Sequence, residues 1–437
     1  MNNKTEATVT TGTKYFTLGL LLLVYIVNFI DRSILSILNQ PIKESLGVSD
    51  TAMGFLGGIA FALFYTTLGV PIARMADTGN RRTILVVCLA VWSGMTALCG
   101  MVTSFVQLLL VRIGVAVGEA GAAPASHSMI SDLFPPNQRA TALGIYALGI
   151  PIGSMFGYLF GGWINEAFDW RTAFLLVGLP GIPLALIVRL LLKEPKRGTF
   201  DPGTKDGDAA PEFRTVLAFL LRIKSFRYIA VGAGLHAFVF YGAGYWLPTM
   251  FYRSHGIGSM DMGQSLFLLG FAGIAGTLLG GYITDKLGTR DFRWYAWSPA
   301  LTTIVSVPFS VYSYVSGDPN LALWVYAIPY FLLATYLGPT FSIIQTLVGI
   351  RMRATAASIM FLVISLLGIG FGPQFVGITS DVLHANTGLG DEALRWALVI
   401  TLGFNVAAAL LYMFAASKLA EDLKLRDSLA TGVAQVA

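Results

Sequence analysis

The chain has 437 residues, 55% of them hydrophobic and 12% charged, with 48 glycines and a formal net charge of +5. A soluble domain carries roughly a quarter charged residues and its core stops growing near ~250 to 300 residues, so this composition excludes an ordinary soluble enzyme and makes lipid the solvent. At about 20 apolar residues per membrane-spanning helix, the chain has room for roughly a dozen.

Residues 1–14 are polar and carry Lys4, Glu6 and Lys14. The apolar run that follows is too long for a signal-peptide core and lacks a small-residue cleavage site, so it reads as an uncleaved first span. Apolar runs broken at charged or Gly/Pro/Asn clusters predict twelve helices, over about residues 15–39, 52–75, 83–103, 106–131, 138–163, 171–192, 225–251, 262–285, 294–315, 320–347, 354–380 and 393–418. Cys88 and Cys99 share one run, where a single helix keeps them apart, so they read as packing residues without a disulfide or a thiol site.

The longest polar interruption, Lys193 to Pro211, separates six runs from six and reads as a flexible linker. After it, Phe213, Val216, Leu217, Leu220 and Leu221 fall at helical spacing among Arg214, Arg222 and Lys224, which predicts a short amphipathic helix on the cytoplasmic surface. The predicted division is 1–192 for a first six-helix bundle, 193–224 for the linker with its amphipathic helix, and 225–437 for a second bundle with a tail.

With the N-terminus inside, the inner segments hold 22 Lys and Arg; the outer segments hold only Lys43, Arg171, Arg253 and Arg395. The positive-inside rule places both termini in the cytoplasm. Because the excess charge lies in membrane-flanking loops, it implies membrane topology rather than a nucleic-acid partner.

The halves repeat. Ala73-Arg74-Met75-Ala76-Asp77-Thr78-Gly79-Asn80-Arg81-Arg82 follows the second run, and Gly281-Tyr282-Ile283-Thr284-Asp285-Lys286-Leu287-Gly288-Thr289-Arg290 follows the eighth. Arg139-Ala140-Thr141-Ala142 opens the fifth and Arg353-Ala354-Thr355-Ala356 the eleventh. Two landmarks at nearly one offset indicate duplication, and six runs per half make the repeats parallel, as in transporters that rock two bundles about a midplane site.

At these residues the chain resembles the major facilitator superfamily, whose loop signature reads Gly-x-Leu-Ala-Asp-Arg-x-Gly-Arg-Arg. The second copy fits well, whereas the first has Ala73 for the leading Gly, Thr78 for Arg and Asn80 for the inner Gly. The resemblance implies an all-α integral membrane protein of twelve transmembrane helices in two six-helix bundles related by pseudo-two-fold symmetry. Asn28-Phe29-Ile30-Asp31-Arg32, with Arg112 and Gly118-Glu119, further resembles the spinster-type branch, which is associated with proton-linked movement of lysolipids and sphingosine phosphates.

Ionisable groups inside a bilayer cost several kcal/mol unless paired or wet, so mid-span charges are functional hypotheses. Arg112 and Glu119, seven residues apart, return to one helix face about 10 Å apart along the axis, and a facing Asp31 can lie between them. Asp31 and Glu119 are the expected proton carriers and Arg112 the expected anion anchor; a structural ion-pair network between the first and fourth spans is the alternative. Arg32, adjacent to Asp31, points ~100° away and is a weaker substrate-binding candidate, with Asn28 as a hydrogen-bonding neighbour. At the cytoplasmic gate, Asp77 and Asp285 are expected to clamp helix ends with Arg81, Arg82 and Arg290.

The second half carries almost no charge outside its loops. Instead Tyr241, Tyr245 and Trp246 in the seventh run and Tyr336 in the tenth offer an aromatic face for an apolar tail, or else face lipid. His236 reads as a packing residue. Gly149, Gly153 and Gly157 in the fifth run, and Gly368, Gly372 and Gly377 in the eleventh, form small-residue stripes suited to close helix contact.

No phosphate-binding Gly-rich loop, metal-ligand cluster or nucleophile elbow appears, so neither an enzyme, a metal site nor a cofactor is expected. The expected protein is a monomeric, multi-pass transporter of the plasma membrane, in a bacterium the inner membrane. Its partners are protons, membrane lipids and an amphiphilic organic anion resembling a lysolipid or sphingosine phosphate. A carrier of small organic anions or drugs, or a non-transporting membrane receptor on the same fold, is the alternative.

Overall fold

The computed structural model describes residues 11–199, 213–349 and 352–434. All twelve predicted runs are helical. The spans are, in order, Gly12–Ile37, Asp50–Ala76, Arg81–Cys99, Phe105–Leu133, Asn137–Ala167, Trp170–Leu191, Lys224–His255, Ser259–Gly288, Trp294–Val315, Pro319–Leu347, Thr355–Asn386 and Gly390–Lys424. Ten are apolar and long enough to cross a membrane; the seventh and ninth are as long, but His236 and Pro248 dilute one, and Pro299, Pro308 and buried hydroxyls the other.

Most of the predicted linker, residues 200–211, lies outside the described residues. Beyond it the amphipathic helix forms over Phe213–Arg222, with Val216 and Leu220 buried and Arg214 and Arg222 exposed. Burial of two apolar positions one turn apart is what its helical spacing demands.

Two spans bear the marks of the duplication. In the fifth, a β-carbon at Gly153 would fall 2.4 Å from the Ile26 carbonyl of the first span. In the eleventh, a β-carbon at Gly372 would fall 2.4 Å from the Phe238 carbonyl of the seventh. Only glycine permits either approach, so the stripes read from sequence are helix-contact faces.

The described residues group into two compact units. The first holds residues up to Leu35 and from Phe64 onward; the second holds Ser36–Leu63 and residues from 213 onward. Sequence order had placed residues 1–192 together, but Ser36–Leu63 makes its contacts in the second unit. The reason is local: a short helix, Asn39–Leu46, ends at Gly47 with φ of 63°, and turns the chain into the start of the second span, which is ionically and sterically fastened to the seventh and eleventh.

Candidate functional site

The first unit gathers its charges in the span interiors. Asn28, Asp31, Arg112 and Glu119 are all buried, at 3% exposure or less. Asn28 and Asp31 lie one turn apart on the first span, and Arg112 and Glu119 two turns apart on the fourth, so each pair shares a helix face. The helical ladder of the fourth span is interrupted directly after Glu119, between Phe105–Glu119 and Ala122–Leu133.

Glu119 pairs with Arg32, whose Nε donates to Glu119 Oε2. The guanidinium also lies 4.6 Å from the Tyr65 ring centroid and 5.1 Å from that of Phe29. Arg32 was expected to point away from this cluster; its long side chain instead reaches round the helix, and two aromatic faces hold it against the carboxylate. Asp31 accepts a 3.1 Å hydrogen bond from Thr96 of the third span and lies in electrostatic range of both Arg112 and Glu119. Sequence allowed Asp31 to lie between those two residues, but it missed Thr96 and Tyr65, a hydroxyl and a phenol in apolar runs without charge to mark them.

One oxygen of each acid, Asp31 Oδ1 and Glu119 Oε1, is buried without a hydrogen-bond partner among the described residues, as is Asn28 Nδ2. Buried polar atoms are nearly always satisfied, so three orphaned atoms in one interior mark a place built for something other than packing.

At the end of this unit that the charge count assigns to the cytoplasm, Arg81 is wholly buried. It bonds Asp132, Glu194 Oε1 at 2.8 Å, Ser128 Oγ at 2.9 Å and the Pro195 carbonyl at 2.7 Å. The backbone N–H of Arg82 donates to Glu194 Oε2 at 2.8 Å. Arg81 thus works with Asp132 and Glu194, and Arg82 with Glu194, two acids that sequence reading did not single out. Asp77 was their expected partner, and its side chain lies outside the described residues. In the second unit Asp285 accepts from the Tyr295 hydroxyl at 2.8 Å rather than from Arg290, which is exposed.

The second unit contains a site that sequence reading missed altogether. Asp50, 2% exposed at the start of the second span, is gripped by Arg253 through two 2.7 Å hydrogen bonds, by Lys43 at 2.6 Å and by the Ser380 hydroxyl at 2.7 Å. Asp381 in turn accepts from the backbone N–H groups of Asp50 and Thr51, at 3.1 and 2.7 Å, and so caps that helix. Lys43 and Arg253 had looked like isolated outer-loop charges.

Tyr245 and Trp246, expected to face substrate, serve this attachment instead. Both are buried; the Tyr245 hydroxyl donates to the Met53 carbonyl at 2.9 Å and the Trp246 indole N–H to the Pro373 carbonyl at 2.8 Å. Tyr245 also fills the space where Gly57 lacks a side chain. Tyr241 and Tyr336 lie elsewhere, in the middle of the unit, where Tyr336 stacks on His236 with centroids 4.0 Å apart.

Comparison with known proteins agrees with this architecture. The profile of the Major Facilitator Superfamily matches residues 21–373. An MFS-type efflux pump of Mycolicibacterium smegmatis is 34% identical over 407 residues, covering 93% of each chain. Protein spinster homolog 1 of Xenopus laevis is 26% identical, covering 95% of this chain and 82% of its own. Among solved structures, a bacterial homologue of the human lysosomal transporter Spinster, in an inward-facing and unoccupied conformation, superimposes with a TM-score of 0.87 at 32% identity, covering 94% of this chain and 99% of that one. The chain is an all-helical, multi-pass membrane transporter related to the spinster proteins, and it belongs to the Major Facilitator Superfamily.

Proposed function

We infer that the protein is a proton-coupled secondary active transporter that moves an amphiphilic organic anion, resembling a lysolipid or sphingosine phosphate, by alternating access. The observation that carries this reading is the burial of two carboxylic acids and the Arg112 guanidinium in the interior of the first unit, with the half-buried Arg32 paired to Glu119 and one oxygen of each acid unsatisfied. Charges inside a bilayer are retained where they bind or relay ions. A carboxylate that an arginine stabilises and burial penalises can take up a proton when water reaches it and release it when its surroundings change.

Asp31 and Glu119 are the proton carriers. Arg112 is the anion anchor, its planar fork matching phosphate or carboxylate oxygens. Arg32 is the hydrogen-bonding partner of Glu119, with Asn28 as a polar neighbour. The aromatic residues Tyr241 and Tyr336 of the nearly uncharged second unit suit an apolar tail. Both termini lie in the cytoplasm of a bacterial plasma membrane, the protein acts as a monomer, and Asp77, Arg81, Arg82, Asp285 and Arg290 belong to the cytoplasmic gate. The amphiphile rests on the resemblance to the spinster-type branch, whose members are among the similar proteins.

Arg112→Ala tests the anchor. A charge-assisted hydrogen bond contributes about 1.5 to 3 kcal/mol, so affinity for a lysophosphatidate measured by calorimetry in nanodiscs should fall roughly ten- to hundredfold. Unchanged affinity in the folded variant would move the anchor elsewhere.

A further inference from the structure

The tenth span is not continuous. It runs as Pro319–Leu333, breaks over Ala334–Tyr336, and resumes as Leu337–Leu347. The cause is in the sequence: Pro339 has no N–H to give the Thr335 carbonyl, its ring crowds that carbonyl, and Gly338 weakens the turn before it. Backbone freed inside a membrane must be satisfied by protein or must line a cavity.

Here three successive carbonyls find side-chain donors. The Leu332 carbonyl accepts from its near neighbour Thr335 at 2.8 Å, the Leu333 carbonyl from His236 at 2.9 Å, and the Ala334 carbonyl from Thr277 at 3.4 Å. His236 is wholly buried in the seventh span, and its other ring nitrogen meets the Thr303 hydroxyl at 2.8 Å. A carbonyl can only accept, so His236 Nε2 carries the proton and Nδ1 receives the Thr303 hydroxyl: one neutral tautomer, fixed from both sides.

That ring is the platform on which Tyr336 stacks, one residue before the helix resumes. Tyr330, one turn before the break, stacks on Phe240 with centroids 6.0 Å apart and packs over Gly273. Tyr336 is 4% exposed, and among the described residues neither its hydroxyl nor that of Tyr330 has a hydrogen-bond partner. The surrounding spans carry no formal charge: residues 228–252, 262–284, 294–315, 319–347, 354–380 and 396–417 contain no Lys, Arg, Asp or Glu.

We propose that the break in the tenth span is a second ligand subsite, which takes an uncharged oxygen-bearing group such as an acyl ester or a hydroxyl through the Tyr330 and Tyr336 hydroxyls, and that His236 is its positioning residue. Two phenols ready to donate, set among aromatic faces in spans that carry no Lys or Arg to offset a ligand's charge, favour a neutral acceptor. His236 touches no ligand; by closing the Leu333 carbonyl and supporting the Tyr336 ring it sets where that hydroxyl points. Discontinuous helices near the bilayer midplane are where transporters build such sites.

This subsite rests on the amphiphile reading for its natural ligand, so the test uses probes that separate the two. Binding of oleoyl lysophosphatidate, which has an ester and a hydroxyl, is compared in nanodiscs with that of oleyl phosphate, which has neither. The wild type should favour the lysophosphatidate by about tenfold, a fold-change of the size one or two net hydrogen bonds supply. Tyr336→Phe should abolish that preference. His236→Leu should abolish it too, whereas His236→Gln, which can still donate to the Leu333 carbonyl, should retain it. A preference that survives Tyr336→Phe, or none in the wild type, overturns the subsite. Should neither phosphate bind, the anion reading fails and uncharged monoolein decides: binding lost in Tyr336→Phe supports the subsite, and binding indifferent to that change, or absent in the wild type, refutes it.

Discussion

Glu119→Gln will fold and will lose the coupling of transport to a pH gradient. The substitution preserves shape, and the glutamine oxygen can still accept from Arg32 Nε, which is held besides by Tyr65 and Phe29. The lost charge costs stability of about 1 to 3 kcal/mol, the usual difference between a charged and a neutral hydrogen-bond partner. Function suffers more. One coupled proton under one unit of pH gradient supplies about 1.4 kcal/mol, which sustains roughly tenfold accumulation of substrate. An amide at position 119 cannot carry that proton, so accumulation should collapse toward equality while gradient-free exchange continues. Proteoliposomes loaded with a labelled lysolipid measure both quantities, and undiminished accumulation by the variant would remove Glu119 from the proton path.

The largest loss of stability is expected from Arg253→Ala. Arg253 supplies two of the four side-chain hydrogen bonds on Asp50, and its Nε reaches Gln40 Oε1 at 2.8 Å. Its side chain is 6% exposed and that of Asp50 is 3%, so solvent cannot replace what the truncation removes. Removing one partner of a buried ion pair costs about 3 to 5 kcal/mol, because the other charge remains behind. In a protein of this size that corresponds to a fall in melting temperature of about 5 °C. Arg253→Met combined with Asp50→Asn should recover much of the loss, since the pair is then removed as a unit. Melting of Arg253→Ala within about a degree of the wild type would mean that water or Lys43 already satisfies Asp50.

This attachment also shows where sequence reasoning stops. The twelve helices, the duplication and the buried acids of the first and fourth spans were legible, because hydropathy, spacing and the rarity of mid-span charge are local or nearly local signals. The partners of Asp50 stand 203 residues away at Arg253 and 330 away at Ser380, and nothing in the flanking residues distinguishes them from topology-setting loop charges. The same distance in sequence hid the move of Ser36–Leu63 into the second unit. Arg32 was misread for a different reason: helical phase fixes where a β-carbon points, but a long guanidinium side chain reaches well beyond that direction. Tyr245 and Trp246 were misread because an aromatic residue in an apolar span carries the same signal whether it meets substrate or packs against a neighbouring helix. His236 gave no sign of its work, since a broken helix shows in sequence only as Gly338 and Pro339.

The division of labour between the units follows from these placements. The first holds charge in the interior of its first and fourth spans; the second keeps its charge at the Asp50–Arg253 attachment and offers hydroxyls, aromatic rings and a helix break within its spans.

The most direct test is flux of a labelled lysolipid or sphingosine phosphate into proteoliposomes, with and without an imposed pH gradient, for the wild type and for Asp31→Asn. The account predicts gradient-dependent accumulation by the wild type and none by the variant. Wild-type accumulation that ignores the gradient, or no flux of either amphiphile by folded protein, would contradict it.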